Sequence, residues 1–155
     1  MKSREVLDAL RLLHPVGSWA FFEELRAGTG YRSTAKGINP EQRFDAWAMS
    51  LWPSKNFERV AYEVKVSRAD FLRELAAPKK RQQALQLSNY FYFAAPRGLI
   101  KPEELPPETG LVEVWPGESV AHVMVKAPYR EGPEFPTWQF MASIARRIQI
   151  TEMGR

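Results

Sequence analysis

Cysteine is absent from the 155-residue chain, and histidine occurs only at His14 and His122. The first absence excludes a disulfide framework, a thiol nucleophile, a thiolate zinc site and an iron–sulfur cluster. Two histidines cannot build a three-histidine metal centre, and they leave little from which to assemble a serine–histidine–aspartate triad. No apolar run approaches the ~20 residues that a membrane-spanning helix needs. The opening stretch MKSREVLDALRLL interleaves charges with leucines instead of forming a signal-peptide core. A cytoplasmic protein without a membrane partner is the expectation. No internal repeat or low-complexity stretch occurs, and the glycine-rich segment lacks the GxxxxGK[ST] pattern of a nucleotide-binding loop.

What is present describes an ordinary globular chain. Hydrophobic residues make up 45%, enough for one packed core, so residues 1–155 are expected to form a single domain. The net charge of +4, from 22 Lys+Arg against 18 Asp+Glu, suits a polyanionic partner without requiring one.

Hydrophobic spacing sets the expected elements. Val6, Leu7, Leu10 and Leu13 mark a first helix over 3–13, with Ser3 as its cap and His14-Pro15 as its end. Residues 18–26 fit a strand or a short helix. The stretch AGTGYRSTAKGINPEQ reads as a loop. Residues 43–51 and 59–66 alternate as strands and form a hairpin across WPSKNFE. In the first, Phe44, Ala46, Ala48 and Ser50 share a face opposite Asp45, Trp47, Met49 and Leu51. In the second, Val60, Tyr62, Val64 and Val66 oppose Ala61, Glu63 and Lys65. Ser67 caps a helix carrying Phe71, Leu72 and Leu75, and Pro78 opens another over KKRQQALQLS. NYFYFAA is a strand covered on both faces. A closing hairpin over 111–126 and an amphipathic helix over 138–148 complete an α/β fold around a mixed central sheet flanked by helices.

Glu63 and Lys65, two apart on a strand, project from one face. On an internal strand they must open onto a cleft or carry a heavy desolvation cost. Asp45 lies on the preceding strand, about 4.8 Å away if the register brings it beside Glu63. Two such carboxylates suit Mg²⁺ or Mn²⁺, hard cations that prefer oxygen donors. Carboxylates this close also keep Lys65 protonated.

An Asp, a turn, and Glu-X-Lys on the next strand followed by a helix resembles the PD-(D/E)XK nuclease superfamily. The wider stretch FDAWAM…YEVKVSRADF…PKKRQQALQLSNYFYFAAPRGLI…LPPETGLVEV is similar to the MmcB-like DNA-repair nucleases and related bacterial and phage proteins. One departure is Phe44, where the motif has proline. The resemblance implies a restriction-endonuclease-like core of helix, three strands, helix and strand, here with a C-terminal hairpin and helix. It implies a Mg²⁺- or Mn²⁺-dependent deoxyribonuclease of repair or phage DNA metabolism, with a catalytically inactive nucleic-acid-binding protein of the same fold as the alternative.

Asp45, Glu63 and the Val64 carbonyl would hold metal and Lys65 would assist attack. Glu24 would complete the acidic set, with Glu23, Glu5 and Asp8 as alternatives. Arg43, Arg68, Lys79, Lys80, Arg81 and Tyr31 are the expected DNA contacts, to the backbone rather than to bases. A homodimer is compatible with this class.

Overall fold

The computed structural model describes residues 1–29 and 42–154. Four helices, α1 (Ser3–Leu12), α2 (Arg68–Leu75), α3 (Gln82–Gln86) and α4 (Trp138–Met153), pack on one sheet. Its strands are β1 (Trp19–Arg26), β2 (Arg43–Ser50), β3 (Arg59–Val64), β4 (Tyr90–Pro96), β5 (Gly110–Val114) and β6 (Ala121–Val125). They lie in chain order. The β3–β4 and β4–β5 pairs are parallel and the other three antiparallel. The parallel β3–β4 step needs a crossover, and α2 and α3 supply it. This is the expected α/β architecture with a mixed sheet and a C-terminal helix.

Alternation on the central strands sorts the core into two layers. Val60, Tyr62, Tyr92, Ala94, Val112 and Val114 face α1, where Val6, Ala9 and Leu10 cover them. Ala61, Phe91, Phe93 and Ala95 face the other way, against Phe71 of α2, Ala84 and Leu85 of α3 and Phe140 of α4. Trp47 joins this second layer, and its indole N–H donates to the Leu87 carbonyl at 3.0 Å. Among the described residues no helix is long and apolar enough to cross a membrane.

Several boundaries differ from expectation. Lys2, not Ser3, occupies the cap position of α1. The helix expected after Pro78 divides into a 3₁₀ turn, Pro78–Arg81, and the short α3. Pro78 lacks an N–H and fits the first turn, but one proline cannot enforce full α pitch afterwards. The last helix continues to Met153, because Ile148-Gln-Ile-Thr-Glu-Met contains no breaker. Of the apolar residues expected inside α2, Leu72 is exposed; Phe71 and Glu74 form the buried face.

Phe44 also departs from simple alternation. It packs with Trp47's layer, 6.0 Å from Phe140 ring to ring, while Ala46 faces α1. On β1, Glu23 faces α1 and pairs with Arg4 and Arg11, whereas Leu25 enters the opposite layer. Residues two apart have thus exchanged faces on both strands. Between them lie Glu24, at a left-handed φ of 52°, and Asp45. The β1–β2 register, continued, sets these two opposite each other. A left-handed residue inside a strand breaks the pleat in this way.

Candidate active site

The kink at Asp45 coincides with the end of the β2–β3 ladder, whose last pair is Ala46↔Tyr62. Continuing the register brings Asp45 opposite Glu63. Beyond it the Asp45 side chain takes over from backbone: its Oδ2 accepts from the Val64 N–H at 2.7 Å. In an extended strand the N–H and C=O of a residue project to the same side, so the Val64 carbonyl faces this edge as well. The Glu63 and Asp45 carboxyls lie close enough for each to act on the other's titration.

The electrostatics follow from two acids brought together in a half-buried place. Burial raises Asp45 above the ordinary aspartate range, partly offset by the Val64 N–H and by Lys65. Glu63 is pushed up to about 8, by burial first and then by the charge of Asp45. The pair therefore titrates as one unit with elevated proton affinity.

Lys65 follows the last residue of β3 and is held there by its own N–H, which donates to the Ala94 carbonyl at 2.9 Å. Its Nζ lies 3.4 Å from Glu63 Oε1 and 3.3 Å from Glu74 Oε1. Burial opposes its charge, but Glu63 and Glu74 outweigh it and the ammonium is raised. The charged form of Lys65 is therefore favoured. Glu74 reaches it from the buried face of α2, whose start is fixed by Ser67 Oγ accepting from the Asp70 N–H at 3.2 Å. The other Glu74 oxygen lies 3.5 Å from Arg81, and Arg81 also donates to the Glu74 carbonyl at 3.1 Å. Glu108 is 3.5 Å from the same guanidinium.

Glu63, Lys65 and Glu74 line a cleft of about 620 Å³, and Arg43, Lys79, Lys80 and Arg81 contribute to its lining as well. Gln42 donates to the Lys80 carbonyl, joining the start of β2 to the 3₁₀ turn. The donor set fits a hard divalent cation in one respect: two carboxyls share a place where neither ionises easily. Among the described residues, however, no group of three His, Cys, Asp or Glu side chains is placed to hold a metal.

The other expected residues divide. Glu24 is exposed and lines an adjoining cleft, close enough for its charge to act on Asp45. Glu23 is committed to Arg4 and Arg11 at 2.6 and 2.5 Å, on the α1 side of the sheet. Glu5 and Asp8 are on α1, away from the pair's side. Arg68 makes a forked pair with Glu104 at 2.7 and 2.8 Å and is absent from the cleft wall. Arg81 lines the cleft but is buried and tied to carboxylates. Tyr31 lies outside the described residues. Sequence reasoning passed over Glu74; the signal was a carboxylate three residues after Phe71, on the inner face of an amphipathic helix.

No family model matches the chain, and no curated protein does. A solved structure from Silicibacter pomeroyi, described as a protein of unknown function, is similar over 97% of this chain and 88% of its own. The TM-score is 0.60 and the identity 24%. That likeness carries the fold and nothing about activity.

Proposed function

We propose that this protein is a metal-dependent deoxyribonuclease, cytoplasmic, that hydrolyses phosphodiester bonds in DNA repair, DNA processing or phage DNA metabolism. The observation that carries the reading is the nearness of the Asp45 and Glu63 carboxyls, with Glu63 and Lys65 in the lining of a cleft that also holds Arg43, Lys79 and Lys80. In this reading Asp45, Glu63 and the Val64 carbonyl hold Mg²⁺ or Mn²⁺. When bound, such an ion lowers the pKa of a coordinated water and neutralises phosphate charge. Lys65, kept protonated by two carboxylates, stabilises negative charge developing on the phosphate. Glu74 is its positioning residue. The basic residues of the cleft hold the DNA backbone, and recognition is of backbone or structure, not of sequence. Glu24, whose charge acts on Asp45, is the proposed third member.

The test is incubation of supercoiled, single-stranded and branched DNA with Mg²⁺ or Mn²⁺. Asp45→Asn, Glu63→Gln and Lys65→Ala should each lower cleavage by about 100-fold or more. Cleavage that persists undiminished in all three would show that the activity belongs to something else. One observation favours a second reading, a nucleic-acid-binding protein of this fold that does not cut: the lack of a third ligand among the described residues. DNA binding without cleavage of any substrate would select it.

A further inference from the structure

A second concavity of about 260 Å³ adjoins the first, between the end of β1 and α4. Ser143, Arg146, Arg147 and Ile150 line it, the i, i+3, i+4, i+7 series that makes one helix face. Ser143 Oγ donates to the Arg26 carbonyl at 2.6 Å and fixes that face against β1. Three guanidiniums, those of Arg43, Arg146 and Arg147, share the concavity with one carboxylate, Glu24. Among the described residues Arg43, Arg146 and Arg147 take part in no ion pair. Like charges gathered without partners repel, and a polyanion relieves the repulsion. Arg43 lines both concavities, so the basic surface runs from Lys79 and Lys80, in the cleft that Glu63 and Lys65 also line, to α4.

We propose that the α4 cleft is a second phosphate-backbone site, in which Arg43, Arg146 and Arg147 hold a nucleic-acid strand that continues across the carboxylate pair. Guanidiniums suit this role because their planar fork matches phosphate oxygens. A strand carrying one charge per nucleotide supplies a partner to each arginine in turn. The choice of nucleic acid as the polyanion rests on the nuclease reading; the site itself rests on the arginines.

The test measures binding of a fluorescent single strand of about 20 nucleotides by anisotropy, in EDTA, across about 50 to about 200 mM salt. The Arg146→Ala/Arg147→Ala double variant should bind about tenfold more weakly. Its salt dependence, as the slope of log K on log salt, should be shallower by about 0.7 per contact removed. The Arg146→Lys/Arg147→Lys variant keeps both charges and should retain the slope, which separates lost charge from a damaged helix. An unchanged slope in the alanine variant overturns the proposal, as does failure of the unaltered protein to bind. EDTA separates this outcome from the nuclease reading. Binding through α4 by a protein that never cuts keeps the site and removes the enzyme; cleavage by a protein whose binding ignores α4 does the reverse.

Discussion

Glu63 titrates far from its ordinary range. Its folded pKa of about 8 exceeds the ordinary 4.5, so between those values the folded chain holds a proton that the unfolded chain has released. Stability contributed by this group is present below 4.5 and is lost as pH rises through 8. In metal-free buffer Glu63→Gln should therefore raise stability at pH 9 by about 1–3 kcal/mol and change little at pH 4, read by urea unfolding. In the unaltered protein Mn²⁺ should restore stability at the alkaline end, because a cation makes the ionised pair acceptable. No recovery on adding Mn²⁺ would count against Asp45 and Glu63 as ligands.

Glu74 gives a second prediction at this scale. Its replacement by Ala strips a partner from buried Arg81 as well as from Lys65. A buried charge left wholly without a partner costs about 3–5 kcal/mol, and since Arg81 keeps Glu108 the loss should fall below that range. The Glu74→Ala/Arg81→Met double variant should recover much of that loss in thermal unfolding, whereas any cleavage should stay low, since Lys65 still lacks its positioning residue.

At the scale of elements, Gly110 limits how β5 can join β4 and β6. A Cβ there would lie 2.5 Å from both the Ala127 nitrogen and the Val125 oxygen, and 2.6 Å from Tyr92 Cε1. Two of these atoms belong to backbone and cannot turn aside. Gly110→Ala should thus destabilise by about 1–3 kcal/mol or more, visible as an earlier denaturant midpoint. Removing the cap in Ser67→Ala should cost about 1 kcal/mol, with α2 and its Glu74 the first region to lose amide-exchange protection.

Elements were also what the sequence disclosed best. The period-2 pattern of Val60, Tyr62 and Val64 against Ala61 and Glu63 is the pattern of the folded strand, and with it came the face on which Glu63 and Lys65 lie. The apolar NYFYFAA run reported a strand covered on both sides. The departures have local causes that no periodicity reveals. The exchange of faces at Glu24 and Asp45 depends on one left-handed residue of ordinary type. The buried role of Glu74 depends on Arg81 and Lys65 arriving from two other elements. The arginines of α4 meet Arg43 only after the chain has crossed the whole sheet.

Over the whole molecule, two opposed pH responses overlap. His14 is buried among Trp19, Phe21 and Tyr62, with its Nε2 2.6 Å from the Tyr62 hydroxyl. Burial lowers its pKa from 6.5 to about 4. Between those values the unfolded chain binds the extra proton, so stability falls as pH drops through this window. The Glu63 pair runs the other way from 4.5 to 8. The unaltered protein should accordingly show a shallow stability profile between about pH 4.5 and 6.5. His14→Phe should be weaker at pH 7, where Tyr62 loses its partner, yet lose less on acidification; a melting series across that range reads both effects.

Helix α1 has a practical consequence for anyone who handles this protein. Its Val6, Ala9 and Leu10 roof Val60, Tyr62, Tyr92, Val112 and Val114, while Arg4 and Arg11 clasp Glu23. Trimming the first dozen residues would lay bare a greasy flank of the sheet and invite clumping, even though the carboxylate pair sits on the opposite flank. A deletion that removes α1 should not be tolerated.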